Sequence, residues 1–157
     1  VAHECILDFR DLKSKTGLSV NDLAKRLIDY SFHAPTISWP VPETIMIEPT
    51  ESESLAELDR FCEAMLLIGD EISEIENNNV LNNNNVISNA PHTLKELISD
   101  NWHYPYSKEK ASFPYKTPTN IKFWSSVSRI NNAYGDRNLI CSCNVNQGET
   151  LDEKKCA

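Results

Sequence analysis

The stretch "HAPTISWPVPETIMIEPTESES", from His33 to Ser54, decides the fold. It contains two short apolar runs interrupted by prolines, "TISWPV" and "ETIMIE", and then a cluster of acidic and hydroxyl side chains. Apolar residues alternate along each run, which predicts two strands joined through Pro42 and Glu43 as a hairpin. The alternating residues are Ile37, Trp39, Val41, Ile45 and Ile47.

The end of this stretch predicts the start of a helix. Thr50 and Glu53 have the T-x-x-E spacing of a capping box, and the neighbouring acids suit the positive end of a helix dipole. Apolar residues then recur every three or four positions as far as Glu76, which predicts one long helix. Pro40 has no backbone N–H, so the first strand of the hairpin is expected at a sheet edge or at a bulge.

Upstream, residues 4–10 alternate, with Cys5, Leu7 and Phe9 on one face, which predicts a half-buried strand. Ser19 then suits the N-cap of a short amphipathic helix. The order strand, helix, strand, strand, long helix predicts an α+β fold. The helical first connection allows the first two strands to be parallel, whereas the hairpin pair is antiparallel.

The remainder of the chain changes character. Asparagine dominates residues 77–89, and a segment rich in proline and aromatic residues follows, with helix caps expected at Thr93 and Ser107. Such a segment is expected to wrap over another surface. The predicted division is a 1–76 α+β core, a 77–89 flexible loop, a 90–143 wrapping segment and a 144–157 disordered tail.

Composition excludes several classes of function. The 157 residues carry a net charge of −8, which argues against a nucleic-acid-binding surface. Five cysteines make a disulfide framework improbable and favour a reducing compartment. No apolar run approaches the roughly 20 residues of a membrane span. The chain has no initiator Met, so it is expected to be a fragment or the last domain of a longer protein.

No self-contained active site is predicted. The pair Cys141 and Cys143 lacks the second pair of a zinc site, and His92 and His103 are isolated in sequence. A Cys141–His33 nucleophile has no local support. There is no glycine-rich phosphate loop, and the acidic side chains suit helix caps and solvated faces.

The densest polar cluster is "RINNAYGDRNLICSC". It is open to two interpretations: a turn held by an Asp–Arg pair, or a loop that completes a site elsewhere, since loops carry function disproportionately. The candidate residues at a cleft rim or domain contact are His33, Arg129, Tyr134, Asp136, Arg137 and Asn138.

Several stretches, in order, resemble one family: "DLAKRLIDYSFHAPTISWPV", "IEPTESESLAELDRFCEAM", "NAPHT", "PYSKEKASFP" and "KFWSSVSRINNAYGDRNLICSC". The chain resembles the C-terminal end of the glycine decarboxylase P-proteins of the glycine cleavage system. The resemblance covers nearly all of residues 1–143. Ser31 and Glu43 depart from it, since the family usually has glycine there, and Asn131 replaces a usual aspartate.

The resemblance implies the small C-terminal domain of a type I pyridoxal-phosphate enzyme. In this family the cofactor forms an imine with glycine, carbon dioxide leaves, and the aminomethyl group passes to the lipoyl arm of the H-protein. The imine-forming lysine lies upstream of this chain, so the resemblance implies no catalytic, cofactor-binding or metal-binding residue here, and the piece alone is expected to be inactive. A homodimer or heterotetramer is implied, in the mitochondrial matrix of a eukaryote or the cytoplasm of a bacterium.

The resemblance also gives Cys141 and Cys143 a candidate redox role. One of these thiols would lie near the lipoyl path and form a reversible disulfide with the missing region; two ordinary exposed thiols are the alternative. Other functions stay open at this point. The chain is alternatively a non-catalytic α+β interaction or ligand-sensing module, or a separately encoded subunit that must find its partner.

Overall fold

The computed structural model describes residues 3–77, 84–115 and 122–140. They form a small α+β unit in which helices pack on a three-stranded sheet, as the sequence predicts. The elements in chain order are β1 (Cys5–Asp8), α1 (Leu12–Thr16), α2 (Val20–Asp29), β2 (Thr36–Ile37), β3 (Thr44–Ile47), α3 (Leu55–Asn77), α4 (Leu94–Ile98), α5 (Lys108–Ser112) and α6 (Asn132–Arg137).

The sheet has the order β1-β3-β2, and both pairs are antiparallel. The hairpin prediction is confirmed, since β2 pairs with β3 and Ile37 lies opposite Ile45. β2 is an edge strand, and it ends before Pro40. β1 and β2 do point the same way, but they are not neighbours, because the central position belongs to β3. A parallel pairing of the first two strands is therefore absent from this sheet.

β1 is less buried than its alternation predicts. Cys5 and Leu7 lie on the same face as the buried Ile45, because residues opposite each other in the ladder share a face. Leu7 is nevertheless 37% exposed. The core face of β1 is thus the predicted one, but the strand is more exposed than predicted.

α1 is a short helix that the periodicity does not indicate. The chain leaves it through Gly17, whose φ of 76° lies in the left-handed region that glycine adopts without strain. α2 follows with Ser19 as its N-cap, as predicted. Ser19 and Asp22 form a capping box, in which Asp22 accepts hydrogen bonds from the backbone N–H and the hydroxyl of Ser19 at 2.8 and 2.7 Å.

α3 is the predicted long helix of 23 residues, but it begins later than the predicted capping box. Ser54 precedes the first helical residue, and its hydroxyl accepts a hydrogen bond from the backbone N–H of Glu57 at 3.2 Å. Thr50 instead shares a hydrogen bond with Ser52. The prediction that Thr50 and Glu53 cap the helix is wrong, because S-x-x-E at Ser54 offers the same chemistry four residues later.

The core lies between α2, α3 and the sheet. Its fully buried members include Leu23, Leu27, Ile45 and Ile68. The end of the asparagine-rich stretch also belongs to it, since Val86 and Ile87 are buried, within the stretch predicted as a flexible loop. The two apolar residues anchor a turn against α2 and α3, which the asparagine content of the stretch hides.

The following segment has the predicted helix caps. Thr93 and Ser107 each accept a hydrogen bond from a backbone N–H in the first turn of α4 and α5. Thr93 also forms a parallel bridge with Ser125. The aromatic side chains divide: Tyr106 is half-buried against this unit's own core, whereas Phe123 is exposed.

Candidate functional site

The candidates between Arg129 and Asn138 lie on and around α6. Asn131 caps this helix by accepting from the backbone N–H of Tyr134 at 2.9 Å. The side chains of Tyr134, Asp136, Arg137 and Asn138 are exposed. α6 therefore presents a row of polar groups to solvent, as a domain contact or a cleft rim would.

Arg129 serves to attach this region to the core. Its guanidinium forms an ion pair with Asp22 at 2.7 Å and donates to the carbonyl of Ile87 at 3.3 Å. The sequence suggested an Asp–Arg pair within the turn itself. Among the described residues, the arginine's acidic partner is on α2 instead.

His33 lies apart from these residues, in a groove of about 380 Å³ between the end of the hairpin and the start of α3. The groove has an apolar wall that includes Phe32, Met46 and Phe61, and an acidic rim that includes Glu48 and Glu53. His33 is exposed there. The structure thus places one predicted candidate at a groove and the others on or near α6; Cys141 and Cys143 lie outside the described residues.

A buried ionic network, which the sequence analysis missed, connects the helices. Arg26 of α2 is fully buried and donates from Nε and Nη2 to the two carboxylate oxygens of Glu71 on α3, at 3.0 and 2.7 Å. Nη1 donates to Asp29 at 2.9 Å. The same guanidinium donates to the carbonyls of Lys110 and Ala111, both at 2.7 Å. One cation thereby joins α2, α3 and the end of α5.

Asp29 extends the network to His92. The carboxylate accepts from the backbone N–H of His92 at 2.7 Å and lies 2.8 Å from Nδ1 of its ring. Nε2 of the same ring is 2.8 Å from the hydroxyl of Tyr106. A ring with its proton on Nδ1 satisfies both contacts, since it donates to Asp29 and accepts from Tyr106.

Burial and neighbouring charges together set the pKa values in this region. Burial would lower the pKa of Arg26, but the hydrogen bonds and charges of Glu71 and Asp29 raise it overall, so the guanidinium stays charged. Burial raises the pKa of the Tyr106 phenol. Burial also lowers the pKa of Lys122 to about 8, helped by the nearby Arg26 charge and opposed by Asp29. The amine of Lys122 donates to the backbone carbonyl of Asp29.

The network holds the helices together and is not a reaction centre. Arg26, Asp29 and His92 are buried, so their polar groups bind one another and the backbone instead of a substrate. One signal in the sequence could have revealed it. Arg26 falls within the apolar stripe of α2, and Glu71 falls beside Ile68 and Ile72 in that of α3. Opposite charges within two apolar stripes indicate a buried pair.

Two positions at which the resemblance implies glycine occupy unusual backbone conformations. Ser31 and Glu43 have φ of 66° and 56°, in the left-handed region that favours glycine. Both side chains compensate with a hydrogen bond. The Ser31 hydroxyl accepts from the backbone N–H of Phe123 at 3.0 Å, and the Glu43 carboxylate accepts from that of Val20, at the start of α2, at 3.0 Å.

Much apolar surface is exposed at the tip of the hairpin and in the last described segment. Trp39 is 65% exposed, Leu139 is 86% exposed and Ile140 is 95% exposed. The described residues contain no group of three or more His, Cys, Asp or Glu able to hold a metal ion. No helix in the described ranges is both long and apolar enough to cross a membrane.

Comparison with known proteins gives a consistent family. A family model described as "Glycine dehydrogenase, C-terminal domain" matches residues 1–92. Glycine dehydrogenase (decarboxylating) of Prochlorococcus marinus strain NATL1A is 62% identical over 143 residues, which is 91% of this chain and 15% of that protein. The same-named protein of Thermosynechococcus vestitus is 58% identical over 145 residues, or 92% of this chain and 15% of its own length.

A relative outside the cyanobacteria agrees. Glycine dehydrogenase (decarboxylating) of Aliivibrio fischeri is 55% identical over 143 residues, again 91% of this chain and 15% of that protein. The chain therefore spans about 15% of the length of the curated relatives it matches. With 92 residues matched by the family model and identities above 50% over most of its length, the chain belongs to the glycine dehydrogenase C-terminal domain family.

Proposed function

We propose that this chain works as the C-terminal part of a glycine dehydrogenase (decarboxylating). The complete enzyme decarboxylates glycine with pyridoxal phosphate and transfers the aminomethyl group to the lipoyl arm of the H-protein. The observation that carries the proposal is the 62% identity over 91% of the chain. The chain is the small domain of a type I pyridoxal-phosphate fold in this proposal, and the fragment alone is inactive.

The described residues do not fit the cofactor itself. Pyridoxal phosphate needs a lysine for its imine and a cradle of donors for its phosphate. Lys122 is half-buried, and its amine binds the backbone carbonyl of Asp29. The buried Arg26 is fully engaged by Glu71, Asp29 and the carbonyls of α5. The cofactor is therefore assigned to the upstream part of the enzyme.

The proposed role of this domain is to pack against the upstream part of the enzyme and to shape the rim of its active-site cleft. The buried network makes one body of α2, α3 and the 90–115 segment, and a rigid body can hold a surface in place. The exposed apolar residues of 123–140 then cover the upstream part of the enzyme, as the predicted wrapping segment would. α6 lies at the end of this surface, where Tyr134, Asp136 and Arg137 would line the cleft rim.

The partners and location follow from the family. The upstream part of the same enzyme and the lipoylated H-protein are the proposed partners, within a homodimer or heterotetramer. The site of action is the cytoplasm for a bacterial source, such as those of the relatives described above, and the mitochondrial matrix for a eukaryotic one.

A chimeric enzyme tests the proposal. We would replace the C-terminal 143 matching residues of the Prochlorococcus relative by those of this chain, and measure glycine-dependent carbon dioxide release with H-protein. The account predicts activity within about tenfold of the parent enzyme, because the two sequences are 62% identical over the exchanged region. A folded, cofactor-loaded chimera without activity would contradict it. The matched control replaces the same residues by an unrelated α+β domain.

The non-catalytic α+β module is the competing function. It gains support only if the isolated chain binds a specific small molecule or a protein outside the glycine cleavage system. The exposed groove beside His33 is where such a ligand would bind. The chimera separates the two, because a sensing module has no reason to restore decarboxylation.

A further inference from the structure

We propose that the free edge of β1 is the docking site for a further β-strand, contributed by the part of the enzyme that this chain does not contain. The inference rests on the proposed function, because it takes the chain as one part of a longer polypeptide. β1 (Cys5–Asp8) lies at one edge of the sheet and β2 (Thr36–Ile37) at the other.

Both faces of β1 present exposed apolar side chains. Leu7 lies opposite Ile45 on the core face, and Ile6 lies opposite Met46 on the other face. Ile6 is 44% exposed and Leu7 is 37% exposed. An edge strand that ends a sheet in solution normally carries polar residues on its outer face, whereas a strand that is apolar on both faces is typical of a sheet interior.

Among the described residues, no strand pairs with the second side of the β1 backbone. The backbone N–H of Phe9 donates to the carbonyl of Glu43 at 3.0 Å, on the β3 side. Because bonding alternates along an antiparallel pair, the N–H and C=O groups of Leu7 point to β3, whereas those of Ile6 point away from it. On β3, the Thr44 carbonyl accepts from a residue after β2 instead, which agrees with this alternation.

The two edges of the sheet differ in protection. β2 has only two residues, and the chain turns away after it through Ser38, whose φ is 55°, and then through Pro40. Short strands and prolines are devices that block strand addition. β1 has four residues, without proline or glycine, and its acidic Asp8 is already paired with Arg10. Within the described ranges, the edge open to strand addition is therefore that of β1.

The upstream part of the enzyme is the occupant that fits best. The chain spans about 15% of its relatives, so ample polypeptide exists outside it. The docking strand would be apolar on both faces, to match Ile6 and Leu7. A second copy of this chain fits poorly: the register that pairs Ile6 with its own copy also places Glu4 opposite Asp8, and like charges directly opposite destabilise a pair.

Residue-resolved amide hydrogen exchange on the full-length, cofactor-bound enzyme tests the docking. The account predicts that the Ile6 amide exchanges at least about 100-fold more slowly than an unprotected amide, close to the Leu7 amide. Free exchange at Ile6 beside a protected Leu7 would overturn the proposal. Protection of Ile6 that depends on enzyme concentration would assign the edge to a second copy and also overturn it.

Two variants of the full-length enzyme give an independent readout. Ile6→Ala removes the side chain but keeps the N–H, whereas Ile6→Pro also removes the donor on the open edge. The account predicts that Ile6→Pro unfolds several degrees below Ile6→Ala. Equal unfolding temperatures would contradict it, because proline costs no hydrogen bond at a free edge. If Ile6→Pro does not fold, the exchange measurement on the unsubstituted enzyme decides the matter.

Activity distinguishes this inference from the proposed function. An enzyme that decarboxylates glycine while its Ile6 amide exchanges freely overturns the docking and leaves the proposed function intact. An enzyme with a protected Ile6 amide that fails to decarboxylate glycine does the reverse.

Discussion

The buried side chain of Arg26 connects three helices of the fold. Its five hydrogen bonds reach Glu71, Asp29 and two backbone carbonyls of α5, at 2.7 to 3.0 Å. A buried ion pair adds little net stability over an apolar pair of the same shape, but removing one partner leaves an uncompensated buried charge. Arg26 therefore determines how α2, α3 and α5 fit together more than how stable they are.

The first prediction concerns this charge. Arg26→Met is expected to lower the free energy of unfolding by about 3–5 kcal/mol, because Glu71 and Asp29 stay buried without their cation. Denaturant unfolding followed by circular dichroism measures the change. The control is the double variant Arg26→Met with Glu71→Met, which removes both charges of the main pair and is expected to recover part of the loss. A single variant as stable as the unsubstituted chain would refute the buried network.

Glu43 shows how a residue other than glycine occupies a left-handed backbone conformation and remains compatible with the fold. Its φ of 56° is a conformation that costs a non-glycine residue roughly 1–2 kcal/mol. Its carboxylate accepts from the Val20 N–H at 3.0 Å, where the positive end of the α2 dipole favours an anion. The side chain thus compensates for the strain that its presence causes.

The second prediction compares two substitutions at this position. Glu43→Ala keeps the left-handed strain and loses the hydrogen bond, so a loss of about 1–2 kcal/mol is expected. Glu43→Gly also loses the bond but removes the strain, so it is expected to be nearly neutral. The order of their unfolding midpoints checks this. An alanine variant more stable than the glycine variant would show that the positive φ is not present in solution.

At the scale of elements, the start of α3 gives the third prediction. Ser54→Ala is expected to cost about 1 kcal/mol, because Ser54 caps the first turn through the Glu57 N–H. Thr50→Ala is the matched control, and it is expected to change stability by less than about 0.5 kcal/mol, since the Thr50 hydroxyl hydrogen-bonds the exposed Ser52 hydroxyl rather than an N–H of the helix. Thermal unfolding of both variants decides where the helix begins. A larger loss from Thr50→Ala would restore the cap that the sequence pattern favours.

Elements with a strong local signal were predictable from the sequence. The alternation around Ile45 identified the hairpin, and hydroxyl side chains identified the starts of α2, α4 and α5. α1 was missed because a five-residue helix has too short a pattern. The α3 start was misplaced because two capping patterns, at Thr50 and Ser54, follow each other.

Long-range pairing was not predictable. The contact of Arg26 with Glu71 joins residues 45 positions apart, and that of His92 with Asp29 joins residues 63 positions apart. Alternation correctly identified the core face of β1 but could not show that its edge is open, because strand order depends on the whole chain. The exposed candidates on α6 were found by polarity alone, and their role at a cleft rim stays a prediction.

At the scale of the whole molecule, pH gives the fourth prediction. Burial, followed by the hydrogen bond to Glu96, raises the pKa of Tyr104 to about 12, and burial also raises the pKa values of Tyr30 and Tyr106. An unfolded tyrosine loses its proton near pH 10. The folded state then holds more protons than the unfolded state, so stability present below pH 10 is lost as pH rises toward 12.

The titration of Lys122 changes the stability of the fold in the opposite direction, and at lower pH. Its folded pKa of about 8 lies below the value of 10.5 for an ordinary lysine, so the unfolded state binds more protons between these values and stability rises with pH there. We expect the unfolding temperature to rise between about pH 8 and 10 and then to fall. Lys122→Met should remove the rise, and Tyr104→Phe should lessen the fall. A profile that is flat from pH 8 to 12 would contradict both assignments.

The central claim is that this domain completes a glycine dehydrogenase. The most direct measurement mixes the chain with the separately produced upstream part of the enzyme, pyridoxal phosphate and H-protein, and follows the release of labelled carbon dioxide from carboxyl-labelled glycine. The account predicts release that requires both pieces and saturates with the added chain. If the two pieces bind each other and the upstream part holds cofactor, yet no labelled carbon dioxide appears, the claim is wrong.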